Sequence, residues 1–204
     1  ILLNARITQK TFNRWYKIKS FSNSIFNLID IAYPQNLETK IFLKNLDVKQ
    51  IKSIGNLKFI DNDQHRYNKI DKNLFSQFKN HEIFIAASTH DKEELFAAKV
   101  HKILKKKKKN LITIIIPRHI NRVGQIISDI KSLDLNVITH SSKNKKLKDK
   151  DIYIVDTFGE SKKFYKISTS VFLGGSIVNK GGQNPLEPAR FGAKILHGPN
   201  VDNF

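Results

Sequence analysis

Four polar segments carry the side chains best able to handle a phosphorylated ligand. They are Ser88-Thr89-His90-Asp91, Pro117-Arg118-His119, Asp156-Thr157-Phe158-Gly159-Glu160 and the loop from Gly174 to Glu187. The last reads Gly-Gly-Gln-Asn-Pro-Leu-Glu-Pro over its final eight positions to Pro188. Its glycines let backbone approach a ligand closely or adopt positive φ. Two readings of Asn184 and Glu187 stand level. One is a capping box, with Pro185 at the first helical position. The other has free helix amides meeting a phosphate while Glu187 accepts the hydroxyls of a ribose. Arg118, directly after an apolar run, is either a solvated surface arginine or a counter-charge to phosphate or carboxylate. Phe158-Gly159-Glu160 is either an ordinary turn into a helix or a close approach to a ligand. His90 and His119 lack a third metal ligand at useful spacing, so no metal is expected.

The elements that must position these segments alternate. Strands are expected at 83–87, 111–116, 136–139, 152–155, 171–173 and 194–196. Helices are expected from the turn at 88–91 to about 106, over the spacing of Val123, Ile126, Ile127, Ile130 and Leu133, at 160–167 and at 185–191. Continuous apolar strands alternating with helices imply an α/β fold, a doubly wound parallel sheet of Rossmann-like type. In such a sheet, ligands bind beyond the carboxyl ends of the strands, where all four polar segments fall. Residues 1–60 show a basic, aromatic helix (Phe12, Arg14, Trp15, Tyr16, Lys17, Lys19), a strand near 29–33, a helix at 37–46 and a strand at 50–54. They form the tail of a preceding α/β domain. Residues 61–204 form the second domain, and Lys143 to Lys150 is expected to be a polar, mobile loop.

The chain has 204 residues, 40% of them hydrophobic, and a formal net charge of +18. That suits a packed core and argues against disorder. The charge has three readings: solvated lysines, attraction to an anionic membrane, or nucleic acid. The cluster Lys105 to Lys109 falls where a helix ends, complementing its dipole. No apolar run approaches the roughly 20 residues of a membrane span, and no signal peptide is visible. Cys is absent, excluding disulfides and thiolate metal sites, and pointing to the cytoplasm. Met is absent too, position 1 included, and Phe204 comes soon after an expected strand, so an internal piece of a longer protein is expected. A phosphate-binding Walker loop, an early Gly-x-Gly-x-x-Gly, a nucleophile elbow and kinase motifs are all missing.

Taken in order, the segments resemble the bacterial 3-deoxy-D-manno-octulosonic acid (Kdo) transferases. The series runs Asn4-Ala5-Arg6-Ile7-Thr8, Gly55-Asn56-Leu57-Lys58-Phe59, Ala87-Ser88-Thr89-His90 with Glu93-Glu94, Pro117-Arg118-His119, and Asp156 to Glu160. It continues with Gly174-Gly175-Ser176, Gly182 to Pro188, Gly198-Pro199 and Asn203-Phe204. The resemblance implies a two-domain GT-B transferase working without metal or cofactor. It would use CMP-Kdo as donor and the tetra-acylated lipid A precursor as acceptor, on the cytoplasmic face of the inner membrane and against its anionic surface, with no nucleic-acid partner. It places CMP at Pro117, Arg118, Phe158, Gly159, Glu160, Asn184, Pro185, Leu186 and Glu187, with further donor contacts at Ser88, Thr89, His90, Gly175 and Ser176. The catalytic base is expected in the missing part of the N-terminal domain, so none is assigned here and the chain alone is expected to be inactive. Phe158 stands where the family has Met, Gln183 where it has His, and Lys92 where it has Gly. Ile120 replaces Pro and Thr8 replaces Ser. Of these, Gln183 is expected to matter most, the others being packing variants. The alternatives are a GT-B transferase using a UDP-sugar and a basic nucleic-acid-binding module, for which only Phe12 to Lys19 interleaves aromatics with bases.

Overall fold

The computed structural model describes residues 1–57 and 69–203. They fall into two compact units whose division lies outside the described residues, as does the expected domain boundary at 60/61.

The first unit holds a parallel three-stranded sheet, β1 (Leu2–Ala5), β2 (Ile31–Pro34) and β3 (Gln50–Ile51), in that order. The expected basic helix is two helices, α1 (Gln9–Lys17) and α2 (Lys19–Phe26), broken at Ile18. Thr8 caps α1, accepting from the Thr11 amide, a role that Ser fills equally well. Asn36 caps α3 (Leu37–Asn45) by accepting from the Thr39 amide at 2.9 Å. Phe12 and Trp15 turn inward: Phe12 stacks on Phe42 at 4.3 Å, and Trp15 meets Phe26 edge-on at 5.5 Å. Burying such rings is worth about 1.5–3 kcal/mol each, which explains aromatics at helical spacing without any external partner. β1 was not expected: four residues with Asn in the third position are too short for a periodic signal.

The second unit is a six-stranded parallel sheet in the order β6-β7-β5-β4-β8-β9. The strands are β4 (Glu82–Thr89), β5 (Leu111–Pro117), β6 (Val137–Thr139), β7 (Ile152–Ile154), β8 (Ser170–Leu173) and β9 (Lys194–His197). Along β4, Ile83, Ile85 and Ala87 point into one core, while Phe84 and Ala86 point into the other. The first core also takes Leu74 and Phe78 of α4 (Lys72–Phe78) and Phe164 of α7 (Ser161–Tyr165). The second takes Ala97 and Ala98 of α5 (Glu93–Lys105) and Ile126 and Ile130 of α6 (Val123–Lys131). With apolar cores on both faces, the strands carry no polar alternation, as the sequence implies. α4 was missed; Asp71 caps it, accepting from the Asn73 and Leu74 amides. The 143–150 segment is anchored rather than loose. Leu147 is buried in the first core, and its amide donates to Gln77 Oε1 at 2.9 Å.

Sheet order reverses between β4 and β8. The chain moves from β4 outward through β5 to the edge strand β6, steps back to β7 between them, then crosses to the other side of β4 for β8 and β9. The crevice at such a reversal, beyond the carboxyl ends of the strands, is where open α/β sheets take ligands.

Candidate functional site

The loops after β4 and β8 meet at this reversal through one buried carboxylate. Glu93, the first residue of α5, is 1% exposed. Its Oε2 accepts from the amides of His90 (2.9 Å) and Gly175 (2.7 Å), and its Oε1 from those of Ile177 (3.0 Å) and Val178 (3.4 Å). A buried carboxylate is tolerated only when its acceptor sites are filled, and here backbone fills them. Beside it, Glu94 is buried against Arg122, which reaches it with both terminal nitrogens (3.0 and 3.4 Å) and also holds Asp91 at 2.8 Å. Burial raises the Glu94 pKa, and Arg122 works against that rise.

Close backbone approach sets the rest. A Cβ on Gly174 would come within 2.4 Å of the Ser88 carbonyl oxygen, so this glycine serves strand-to-strand contact, not contact with a ligand. Gly175, at φ +69°, is buried, and a Cβ there would stand 3.3 Å from His90 Cδ2 and Lys180 Cβ and 3.4 Å from Gln183 Nε2, so His90, Lys180 and Gln183 pack directly around the bare glycine. His119 closes one side, its ring edge-on to His90 at 5.7 Å. The Arg118 amide donates to the Thr89 carbonyl at 2.9 Å, fixing the exposed Arg118 side chain beyond the end of β5. Burial lowers the His90 pKa; Glu93 opposes that, while His119, Lys180 and Arg118 lower it further. Three strand ends thus bring basic side chains together around Gly175, which suits an anion.

The sequence-expected residues divide by placement. His90, Arg118 and Gly175 belong to this cluster, and half-buried Ser88, at φ +52°, forms the bulge that ends β4. Thr89 and Ser176 do not line the crevice. Both are fully buried; β4 runs on through Ser88 and Thr89 instead of turning there, and the Ser176 hydroxyl donates to the Leu173 carbonyl and accepts from the Gly198 amide. Pro117 is buried as the last residue of β5 and contributes only by directing Arg118.

Asn184, Pro185, Leu186 and Glu187 lead into α8 (Leu186–Arg190). Asn184 Oδ1 accepts from the Leu186 amide at 3.0 Å, so the capping half of the motif forms. Among the described residues nothing hydrogen-bonds the Glu187 carboxylate, so the reciprocal half does not. Glu187 lies near Tyr165, whose pKa is raised first by burial and then by that carboxylate.

Phe158, Gly159 and Glu160 stand at the end of β7. From β8 to β7 is three strand spacings, about 14 Å at roughly 4.8 Å each, a span on the scale of a nucleotide sugar. Phe158 is 76% exposed, and a Cβ on Gly159 would meet nothing within 4 Å. Glu160 pairs with Lys163, and its Oε2 lies 3.7 Å from His140 Nε2.

Sequence reasoning missed the roles of Glu93, His119 and Lys180. Two acidic residues opening a helix read as a dipole complement, and only tertiary contact distinguishes Glu93 from that. Lys92 is more than a packing variant: at φ +72° it occupies a left-handed position that glycine adopts without strain. Gln183, where the family has His, sits with its Nε2 3.5 Å from His90 Nε2. Among the described residues there is no group of three or more His, Asp or Glu arranged to hold a metal.

Residues 1–61 match the family model described as 3-Deoxy-D-manno-octulosonic-acid transferase (kdotransferase). The 3-deoxy-D-manno-octulosonic acid transferase of Rickettsia felis is 35% identical over 205 residues, covering 98% of this chain and 43% of that protein. That of Haemophilus influenzae is 30% identical over 207 residues, covering 100% of this chain and 48% of that protein. The chain therefore spans less than half the length of these relatives. The crystal structure of the C-terminal CMP-Kdo binding domain of WaaA from Acinetobacter baumannii is similar at a TM-score of 0.60 and 27% identity, covering 65% of this chain and 72% of that one. The six-stranded unit has the GT-B-type, Rossmann-like α/β architecture expected from the sequence. By its amino-terminal match, its relatives and its fold, the chain belongs to the 3-deoxy-D-manno-octulosonic acid transferase family.

Proposed function

We propose that this chain is the donor-binding portion of a glycosyltransferase that moves Kdo from CMP-Kdo to the lipid A precursor. The observation that carries this reading is the meeting of His90, Arg118, His119 and Lys180 around Gly175 at the sheet reversal, with Glu93 fixing the backbone. The donor phosphate sits at Arg118, beside His90, His119 and Lys180. Glu187, left without a capping partner among the described residues, accepts from the ribose hydroxyls. Phe158, Gly159 and Glu160 take the base end. Asn184 caps α8 while its neighbours border the ligand.

In the whole enzyme, an acceptor hydroxyl oxygen bonds to the Kdo anomeric carbon as the bond from that carbon to the phosphate oxygen breaks. The hydroxyl proton passes to a base, and CMP leaves as the anion. Arg118 and the neighbouring imidazoles and lysine offset the charge that grows on the departing phosphate, the interaction that strengthens toward the transition state. The side chains need no metal for this role. We assign no catalytic base among these 204 residues, so the chain alone is expected to bind CMP and transfer nothing. The net charge of +18 favours work against an anionic membrane surface, on its cytoplasmic face.

Calorimetric titration with CMP and with UMP tests the donor assignment. CMP should bind more tightly than UMP, and Arg118→Ala should weaken CMP about tenfold without lowering the urea midpoint, the loss of one charge-assisted phosphate contact. Equal affinity for UMP would favour a UDP-sugar donor, and Kdo transfer by the purified chain would contradict the placement of the base elsewhere.

A further inference from the structure

The segment after β9, residues 198–203, is fastened along the loop that carries Gly175 and Lys180. The Gly198 amide donates to the Ser176 hydroxyl at 2.8 Å, and a Cβ on Gly198 would come within 2.4 Å of the Ser176 carbonyl oxygen. The Asn200 amide donates to that carbonyl at 2.9 Å, and Asn200 Nδ2 donates to the Ser176 and Ile177 carbonyls at 3.1 and 3.0 Å. Farther along, Asn203 takes three successive carbonyls. Its backbone amide donates to Gly181 at 3.0 Å, and its Nδ2 donates to Lys180 at 3.0 Å and to Gly182 at 3.3 Å. Gly181 is left-handed at φ +74°, and a Cβ there would come within 2.6 Å of Asn203 Nδ2, so glycine at 181 is what lets the asparagine lie so close.

The two limbs of this loop are held differently. The amides of Gly175, Ile177 and Val178 already donate to Glu93, so Asn200 adds to a limb that a buried carboxylate has fixed. On the other limb, the Lys180 and Gly182 amides donate to the Gly175 carbonyl at 3.3 and 2.9 Å, and the carbonyls of residues 180–182 accept from Asn203. Lys180 is exposed, and its Cβ lies as near to the Gly175 position as His90 Cδ2 does. Its stem is long and flexible, so where the ammonium can reach is set by where the backbone is held. We propose that Asn203 is a positioning residue for the donor phosphate: by holding the carbonyls of Lys180, Gly181 and Gly182 it keeps the Lys180 backbone beside Gly175, with the ammonium in reach of the ligand that Arg118 and His90 border. This rests on the reading that the phosphate lies among those basic side chains. An asparagine suits the task because its side-chain nitrogen carries two N–H donors, one for each flanking carbonyl.

CMP titration of the 204-residue chain against four variants tests it, each paired with a urea midpoint. The variants are Lys180→Ala, Asn203→Ala, those two together, and Asn200→Ala. CMP should be weakened about tenfold by Lys180→Ala, about fivefold by Asn203→Ala and less than about twofold by Asn200→Ala. The combined variant should bind no more weakly than Lys180→Ala alone, the signature of one side chain acting through another. The midpoints of Lys180→Ala and Asn203→Ala should stay close to that of the unaltered chain, both side chains being exposed. If Lys180→Ala weakens CMP and Asn203→Ala does not, or if the two losses simply add, Asn203 does not act through Lys180 and the nucleotide site stands without it. Asn200→Ala weakening CMP as much as Asn203→Ala would also overturn the inference, since any fastening of the loop would then serve. If Lys180→Ala binds CMP normally, the placement of Lys180 at the phosphate fails and this inference with it.

Discussion

The two ends of the carboxyl edge are built differently. At the β4–β8 reversal, the ligand-facing backbone is tied to one buried carboxylate, Glu93, by amides from two loops, and Gly174 lets one strand end lie against the other. At the β6–β7 margin, contacts run mostly from side chain to side chain, His140 to Tyr153, Glu160 to Lys163 and Ser141 to Asp156, with one backbone amide, that of Ser141, held by Asp156 at 2.8 Å. Phe158 there is largely exposed and Gly159 has open space around it. Backbone held by a buried charge cannot adjust without leaving that charge unpaired, whereas rotamers can. The end assigned to the phosphate, where charge changes during reaction, is thus the preorganised one, as electrostatic stabilisation requires. The end assigned to the base is left to adapt around its ligand.

Removing the fixed element should have the largest effect. Glu93→Ala leaves the buried amide of Gly175 and the part-buried amides of His90 and Ile177 without their acceptor, a loss of about 3 kcal/mol read as a lowered urea midpoint, with CMP binding falling alongside. A near-native midpoint would mean that the reversal is not held as described. Next comes Gly174→Ala, whose added methyl meets Ser88 and Thr89 backbone and should cost about 2–3 kcal/mol by the same measurement. Phe158→Ala probes the adaptable end and should behave in the opposite way. Its urea midpoint should be unchanged, while CMP binds about fivefold more weakly for want of a ring to stack on, and a destabilised variant would erase the contrast.

The smallest effect concerns pH. His101 is fully buried on α5, with Nδ1 2.9 Å from Thr113 Oγ1 of β5, so it pins the helix that carries Glu93. Burial lowers its pKa; Asp151 opposes that and Lys105 adds to it. Unfolded, the imidazole titrates near about 6.5. Above that value both states are neutral and nothing changes. As pH falls below it, the unfolded state takes up the proton first, so stability should decline from pH 7 toward pH 5. Urea midpoints across that range should show the decline, and His101→Gln should make it shallower, His90 and His140, whose pKa values burial also lowers, supplying the rest. An unaltered slope would mean that His101 does not carry it.

Much of this fold is legible in the sequence because both faces of the sheet are covered. Ile83 to Ala87 and Leu111 to Ile116 are continuous apolar runs, and the spacing of Val123, Ile126 and Ile130 marks α6. Short elements are not legible: β1 has four residues, and α4 rests on a cap at Asp71 and two buried side chains. For the site, the order of the motifs located the loops, yet residue types alone could not separate ligand-facing from structural roles. Ser176 and Arg118 both looked available; one hydroxyl is consumed inside the fold, and the other side chain is exposed at the crevice. Glu93 acts through a partner about 80 residues away, Gly175, a distance at which one sequence carries no pairing signal.

The most direct test of the central claim, that one nucleotide spans both ends, is a proton–nitrogen correlation titration of the 204-residue chain with CMP. The account predicts that the amides of His90, Gly175 and Arg118 and those of Gly159 and Glu160 shift together, fitting one dissociation constant, with the larger movements at Gly159 and Glu160. Shifts confined to one end, or two separate constants, would contradict it.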